Sequence, residues 1–150
     1  MSFSYIGSVF MSTKYYIAYG SNMDKDQMMG RCPNAAYICE TYIEDWQLTM
    51  PFYANIEPVK GERTPAIIWK IDADCESELD RREGYPKCYY KTDIPVTVNN
   101  INVSAMAYIM TDEYKKRTDK KARDGYEEQI KAAYIAAGFS LSEYKPYRTG

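Results

Sequence analysis

Histidine is absent from this chain of 150 residues. Its absence excludes Ser-His and Cys-His nucleophilic systems and every histidine metal site. A general base must therefore be a carboxylate, a tyrosine, a lysine or a thiol. Tyrosine occurs 16 times, so apolar walls that carry hydroxyl donors are available to a pocket for a polar small ligand.

Excess positive charge and long apolar runs are also lacking. The formal net charge is −2, which provides no broad positive field to attract nucleic acid or an anionic membrane. No apolar run approaches the roughly 18 to 20 residues that span a bilayer. The stretch from Met1 to Phe10 lacks the basic and apolar regions of a signal peptide, and Met11 is an alternative start.

Cysteine is sparse and widely spaced, at Cys32, Cys39, Cys75 and Cys88. These positions form neither a C-x-x-C pair nor a dense disulfide pattern. Zinc ligands usually come in closely spaced pairs, so free thiols are favoured over a metal site. We therefore expect reduced cysteines, a cytoplasmic location and no bound metal.

Alternation of apolar and polar residues predicts most of the secondary structure as strands. Tyr89 to Val98 and Ile101 to Met110 are expected to form an antiparallel hairpin around Asn99-Asn100. Glu57 to Pro65 carries proline, glycine and charge, which predicts a loop. The other predicted strands are Lys14 to Tyr19, Ala35 to Glu44, Gln47 to Phe52 and Ala66 to Ile71, with a bend at Asp45-Trp46.

Capping residues predict three helices. The first runs from Asp24 to Met29 and stops near Gly30. The second begins at Asp72 or Asp74, continues to about Arg82 and is ended by Gly84. The third has a capping-box-like start at Asp124 and Glu127 and an apolar face at Ile130, Ala133, Tyr134 and Ala137.

The strands outnumber the helices and show no regular βαβ alternation. This pattern predicts one α+β domain over residues 1–150, built around a mainly antiparallel, barrel-like sheet. Residues 1–13 are expected to be an extra or poorly ordered N-terminal segment.

The turn Tyr19-Gly20-Ser21-Asn22 is the first candidate site. Gly20 lets the backbone approach a ligand, and N–H groups exposed at a helix start attract an anion such as a carboxylate. The alternative is an ordinary turn that caps a helix.

Glu83 is the second candidate, because the predicted helix ends at this residue. The helix dipole and burial would both raise the pKa of its carboxyl group toward the range useful for proton transfer. Arg81, Arg82 and Lys87 would lower that pKa. The alternative is a solvated glutamate among surface charges.

Four segments occur together in this order: YIAYGSNM, RCPNA, LDRREGY and GYEEQIKAAYIAAGF. This set resembles the γ-glutamylcyclotransferase-like (AIG2-like) family, including bacterial members similar to the butirosin-pathway cyclotransferase. The resemblance runs from about Tyr15 to Gly138. Each motif is weak singly, but their order and spacing are specific.

The resemblance implies a mixed barrel in which the glycine turn and the helix-terminal glutamate line one pocket. The family's general base falls on Glu83, and its substrate-binding loop falls on Tyr19, Gly20, Ser21 and Asn22. A tyrosine after the glutamate matches Tyr89 or Tyr90, of which we favour Tyr90, and the family's late tyrosine matches Tyr126.

The implied reaction is cyclisation of a γ-glutamyl compound to 5-oxoproline with release of an amine, without a cofactor. The alternative is a catalytically silent module that binds a small molecule or a protein on the same fold. The basic stretch Tyr114 to Asp124 is expected to be a solvated loop; docking of an acidic partner or of nucleic acid is a weaker alternative. A homodimer is also an open expectation.

Overall fold

The computed structural model of this protein describes residues 13–148. Five strands form the sheet: β1 (Lys14–Ala18), β2 (Ala36–Thr49), β3 (Asn55–Ile71), β4 (Tyr89–Val98) and β5 (Ile101–Met110). The α-helices are α1 (Lys25–Arg31), α2 (Ala73–Glu83), α3 (Asp112–Lys115) and α4 (Tyr126–Ala136). Two short 3-10 helices cover Ser21–Met23 and Leu141–Glu143.

The sheet has the strand order β2-β3-β1-β5-β4. Strand β1 lies in the centre, antiparallel to β3 and parallel to β5, and all other pairings are antiparallel. The outer strands β2 and β4 also approach each other, since the Thr41 hydroxyl donates to the Thr97 carbonyl oxygen at 2.9 Å. The predicted α+β class and the mainly antiparallel, barrel-like sheet are confirmed.

Strands β2 and β3 are longer than the sequence predicts. Asp45 adopts a φ of 68° at a bulge within β2, so the strand continues through the predicted bend. The predicted loop from Glu57 to Pro65 is wrong, because these residues belong to β3, in which residues 57, 58 and 63–65 pair with β2. Strand β1 pairs with residues 67–71 of β3, so within residues 13–148 the part of β3 before them has no strand on its second edge, and proline costs no ladder hydrogen bond there.

The β4–β5 hairpin has the predicted boundaries. Asn99 and Asn100 both have positive φ, 50° and 68°, which is the backbone of a tight two-residue turn. The strong local pattern of alternation and turn residues was enough to define this element.

Helix α2 begins and ends at the predicted capping residues. The Asp72 side chain accepts from the Cys75 N–H at 2.8 Å, which selects Asp72 over Asp74 as the cap. Gly84 follows the helix with a φ of 63°, the left-handed conformation that favours glycine. Glu83 is therefore the last helical residue.

The other two predicted helices start or end at slightly different residues. Helix α1 follows Asp24, which caps it, and continues one residue beyond Gly30 to Arg31. The capping box predicted at Asp124 is wrong, since α4 begins at Tyr126 after Gly125 without a side-chain cap. The buried face of α4 carries Tyr126, Ile130, Ala133 and Tyr134.

A disulfide joins Cys32, just after α1, to Cys75 in the first turn of α2, with their Cα atoms 5.1 Å apart. The expectation of four free thiols is therefore wrong for this pair, while Cys39 and Cys88 are free. A separation of 43 residues along the chain carries no information about this proximity.

Apart from Thr13, the predicted N-terminal segment and the alternative start at Met11 lie outside the described residues. Within residues 13–148, no helix combines the length and apolar character that crossing a membrane requires.

Candidate active site

A cavity of about 350 Å³ opens between the end of β1, the end of α1 and the end of α2. Its wall within residues 13–148 contains seven tyrosines, four arginines and a single carboxylate, that of Glu83. The charged and aromatic lining residues are Tyr16, Tyr19, Arg31, Tyr53, Arg81, Arg82, Glu83, Tyr89, Tyr108, Tyr114, Arg123 and Tyr126.

The glycine turn forms one side of this cavity, where Tyr19, Gly20, Ser21 and Asn22 all line the wall. A Cβ atom on residue 20 would lie 3.3 Å from the Cβ of Ala54 and 3.5 Å from the hydroxyl oxygen of Tyr126. Glycine therefore permits a close approach that a side chain would crowd.

The side chain of Asn22 is buried and holds the turn in place. Its amide nitrogen donates to the Tyr16 hydroxyl at 3.0 Å, and its amide oxygen accepts from Gln27 and from Arg31, each at 3.0 Å. Gln27 also donates to the Ser21 hydroxyl at 2.7 Å. The Asn22 side chain is occupied by protein partners, whereas the Ser21 hydroxyl hydrogen has no acceptor among residues 13–148, so a ligand would meet the backbone of the turn and this hydroxyl.

Tyr19 lies beside the turn with its ring buried. Its hydroxyl donates to the backbone carbonyl oxygen of Tyr108, which ties the end of β1 to β5. Burial, with a further contribution from the nearby Glu83, raises the pKa of Tyr19 well above its ordinary value. Tyr19 is therefore a neutral wall residue rather than a base.

Glu83 lines the same cavity as the turn from the end of α2, and side-chain contacts fix the rotation of that helix. Asp80 accepts from the Tyr108 hydroxyl at 2.6 Å and pairs with Lys91 at 3.1 Å. Lys91 also pairs with Glu76 at 2.8 Å, one turn earlier on the same helix. The helix is thus held against β4 and β5, which determines where its last residue projects.

Burial raises the pKa of Glu83 to about 7, and the positive charge of Arg31 opposes this rise. The sequence suggested that Arg81 and Arg82 would lower the pKa of Glu83. They do not contribute to its shift, and both pair with Glu78, at 2.8 and 2.6 Å. A carboxyl group with a pKa near neutrality can accept and return a proton at physiological pH.

The preference for Tyr90 as the pocket tyrosine is wrong. Tyr89 is buried and lines the cavity, whereas Tyr90 is 44% exposed and is not part of the wall. Adjacent residues of a strand point to opposite faces, so only one of the two can reach the cavity. The Tyr89 hydroxyl donates to the Ala54 carbonyl oxygen at 3.1 Å.

Tyr126, at the start of α4, lies on the cavity wall as the resemblance implies. Its hydroxyl oxygen accepts a hydrogen bond from the Ala54 N–H at 2.9 Å. Among the described residues the hydroxyl hydrogen itself has no acceptor, so it is free to donate to a ligand.

Several wall residues were missed in the sequence. Tyr16 and Arg31 were present in the motifs YIAYGSNM and RCPNA, which offered a signal. Tyr53 and Tyr114 had no local signal, because they lie outside the motifs. The basic stretch after β5 is also less free than predicted, since Lys115 is helical and pairs with Glu57 at 3.6 Å.

The structure is that of a small α+β protein whose cavity, as far as residues 13–148 line it, combines one carboxylate with a glycine turn. The profile of the family described as Gamma-glutamyl cyclotransferase, AIG2-like, matches residues 16–128. This chain therefore belongs to that family.

Similar proteins agree with this assignment. The γ-glutamylcyclotransferase of Homo sapiens is 24% identical over 144 residues, covering 78% of this chain and 77% of that protein. The γ-glutamylcyclotransferase of Mus musculus is 25% identical over 147 residues, covering 80% and 78%. A solved structure titled Gamma-glutamyl cyclotransferase superposes with a TM-score of 0.71 at 19% identity, covering 90% of this chain and 89% of the other.

Proposed function

We propose that this protein is a γ-glutamyl cyclotransferase that converts a small γ-glutamyl compound to 5-oxoproline and a free amine. The observation that carries the proposal is the cavity wall, where Glu83, the one carboxylate that the described part of the chain contributes, shares a space of about 350 Å³ with the turn at Gly20. Membership of the family supports the same reaction class.

The substrate brings both reacting groups, an α-amine and a γ-glutamyl carbonyl carbon, in one molecule. The amine attacks the carbonyl carbon, the five-membered ring closes and the bond to the leaving nitrogen breaks. Holding the flexible glutamyl chain in a folded conformation supplies much of the acceleration, because rotational freedom is already lost on binding. This reaction uses no external nucleophile or cofactor.

Glu83 is proposed as the general base and acid. The α-ammonium loses one proton to free its lone pair and a second as the ring forms, while the leaving nitrogen gains two and departs as an ammonium ion. Glu83 accepts one of these protons and returns it to the leaving nitrogen, and water exchanges the other. A carboxyl pKa of about 7 suits both directions of transfer.

The oxygen of the carbonyl becomes negative in the tetrahedral intermediate and needs donors. We assign this role to backbone N–H groups of Gly20, Ser21 and Asn22 and to the hydroxyl of Tyr126, all on the cavity wall. Tyr89 contributes by holding the neighbouring Ala54 backbone. Such fixed donors act without reorganising during the reaction.

The biological setting extends the proposal. We propose a cytoplasmic enzyme, as its sequence suggests, although the Cys32–Cys75 disulfide is a feature more typical of oxidising compartments. Cell fractionation combined with thiol trapping would test the location and the state of this pair together. A homodimer, and the absence of nucleic-acid and membrane binding, stay predictions.

The test is release of 5-oxoproline from γ-glutamyl amino acids, γ-glutamyl amines and glutathione. Glu83→Gln should bind substrate and fold normally but lose a factor on the order of 10²–10⁴ in turnover. Glu44→Gln is the matched control, since it makes the same chemical change at an exposed glutamate outside the cavity, and turnover should stay within about threefold. Unchanged turnover of Glu83→Gln would refute the mechanism, and no release from any substrate would favour a binding module.

A further inference from the structure

Arg31 is the last residue of α1, and its guanidinium group reaches the same cavity as Glu83. It belongs to the RCPNA motif, which has no part in the reaction described above. The side chain is partly buried. A cation in this position needs either water or an anion to compensate for its desolvation.

Arg31 differs from the three other arginines of the cavity wall in being partly buried without a carboxylate partner. Arg81 and Arg82 form ion pairs with Glu78, and Arg123, which donates to the amide oxygen of Gln129, is exposed. Arg31 forms no ion pair with any carboxylate of residues 13–148. Its one side-chain partner there is the neutral amide oxygen of Asn22, at 3.0 Å.

The Arg31 guanidinium group is held in position by a neutral partner rather than by a carboxylate. Asn22 is held by Tyr16 through its amide nitrogen and by Trp69, whose indole N–H donates to the Asn22 carbonyl oxygen at 3.2 Å. One edge of the Arg31 guanidinium is thereby bound to a fixed acceptor. Its remaining N–H donors are the right type for a carboxylate, which accepts two parallel hydrogen bonds from one guanidinium group.

The surroundings of Arg31 disfavour its positive charge on balance. Burial lowers the pKa of Arg31, and the nearby Arg82 lowers it further, against a smaller opposing contribution from Glu83. An incoming anion would therefore improve the local balance of charge. Glu83 cannot serve as that anion during proton transfer, because it alternates between its charged and neutral forms.

We propose that Arg31 binds the α-carboxylate of the glutamyl part of the substrate. This inference rests on the proposed function. The α-carboxylate and the α-amine are attached to the same carbon atom, so binding of the former by Arg31 keeps the latter in the cavity that Glu83 also lines. The loop N–H groups are then left for the carbonyl oxygen.

A pair of substrates tests the assignment, because one of them lacks only the group in question. γ-Glutamyl-alanine cyclises to 5-oxoproline, and 4-aminobutanoyl-alanine, which has no α-carboxylate, cyclises to 2-pyrrolidinone; both release alanine. At a pH at which Glu83 is deprotonated in both proteins, Arg31→Gln should lower kcat/KM on the order of 100-fold for the first substrate and less than about threefold for the second. Arg31→Lys, which keeps the charge, should lie between the wild type and Arg31→Gln.

Arg81→Gln is the matched control, because it removes an arginine of the same wall that already has a carboxylate partner; both substrates should change by the same factor. An equal loss for both substrates with Arg31→Gln would overturn the assignment. A γ-glutamyl alkylamine keeps the α-carboxylate but has no carboxylate on its leaving group. If Arg31→Gln lowers kcat/KM for γ-glutamyl-alanine but not for this alkylamine, Arg31 binds the leaving group and the assignment is also overturned.

Binding measurements separate this inference from the proposed reaction. Calorimetry with γ-glutamyl-alanine should show weaker binding to the double variant Glu83→Gln/Arg31→Gln than to Glu83→Gln alone, and 4-aminobutanoyl-alanine should show no such difference. If wild-type protein binds but releases no 5-oxoproline, the proposed function fails while the Arg31 assignment is still decided by these titrations. Equal affinities of the two variants for γ-glutamyl-alanine would refute the assignment.

Discussion

The hydroxyl oxygen of Tyr126 accepts a hydrogen bond from the backbone N–H of Ala54 at 2.9 Å. The carbonyl oxygen of the same Ala54 accepts from the Tyr89 hydroxyl at 3.1 Å. Two tyrosines from distant parts of the chain therefore hold Ala54, and Ala54 lies against Gly20 of the glycine turn. This arrangement couples the packing of the cavity wall to its proposed chemistry.

Tyr126→Phe removes both the acceptor for the Ala54 N–H and the hydroxyl donor that faces the cavity. We expect a stability loss of about 1 kcal/mol from the unmade buried hydrogen bond and a larger, roughly tenfold or greater, loss of kcat/KM. Urea unfolding and 5-oxoproline release measure the two effects. Tyr147→Phe, at an exposed tyrosine that is not part of the wall, should change neither. A stability loss with full activity would assign Tyr126 a purely structural role.

Tyr89→Phe and Tyr90→Phe compare two adjacent tyrosines on opposite faces of β4. Because only Tyr89 lines the cavity and donates to Ala54, its change should lower kcat/KM several-fold and stability by about 1 kcal/mol. Tyr90→Phe should match the wild type in both assays, since its ring is largely exposed. Reversed effects would show that Tyr90 faces the substrate.

Gly20→Ala adds a Cβ atom 3.3 Å from Ala54, closer than the wall accommodates without movement. The turn or the Ala54 backbone must shift by a few tenths of an ångström, and we expect kcat/KM to fall on the order of tenfold or more, as misplacement of reacting groups is costly. Gly30→Ala is the control, because nothing lies within 4 Å of its added atom and alanine favours the helix. That variant should stay active and gain about 0.5–1 kcal/mol in stability. Full activity of Gly20→Ala would show that the close approach is dispensable.

The pH profile of activity should report the ionisation of Glu83. As a base it must be deprotonated in the free enzyme, so kcat/KM should fall about tenfold per pH unit below a midpoint near 7. Because the charge of Arg31 lowers this pKa, Arg31→Gln should move the midpoint to higher pH. A midpoint near 4.5, the ordinary pKa of glutamate, would show that the rate does not depend on a Glu83 carboxyl group with a raised pKa.

The same raised pKa makes Glu83 a cost to folding at neutral pH. The unfolded chain releases this proton near pH 4.5 and the folded protein only near pH 7, so the folded form binds more protons between these values and loses stability as the pH rises. Glu83→Gln avoids this loss. Its stability advantage should be near zero below pH 4.5 and reach at most on the order of 3 kcal/mol above pH 7, measured by urea unfolding. A constant difference across this range would contradict the burial of the carboxyl group.

Local sequence patterns were reliable where a few neighbouring residues specify the backbone. The β4–β5 hairpin follows from alternation around Asn99-Asn100, and α2 follows from Asp72 and Gly84. The segment Glu57 to Pro65 was wrongly predicted as a loop, because proline, glycine and charge usually interrupt strands. Its pairing with β2 and, within residues 13–148, the absence of a strand on its second edge make these residues acceptable in a strand, and both are long-range features that local composition does not contain.

The motifs located the two main sides of the cavity but not all of its wall. Tyr89 and Tyr90 are indistinguishable by type, and the choice between them depends on which face of β4 packs inward. Arg31 was visible within a motif, but its lack of a counter-ion is a property of the assembled site. The nearness of Cys32 to Cys75 likewise depends on how α1 and α2 pack.

By itself the sequence determined the α+β class, the ends of the hairpin and α2, and the family to which the chain belongs. These depend on short-range backbone preferences and on ordered motifs, both of which are written along the chain. The tertiary structure alone decided which side chains enter the cavity, how far burial and Arg31 move the pKa of Glu83, and which cysteines meet. Burial and electrostatic interaction act through space, and residues far apart in sequence acquire them only when the sheet and helices pack.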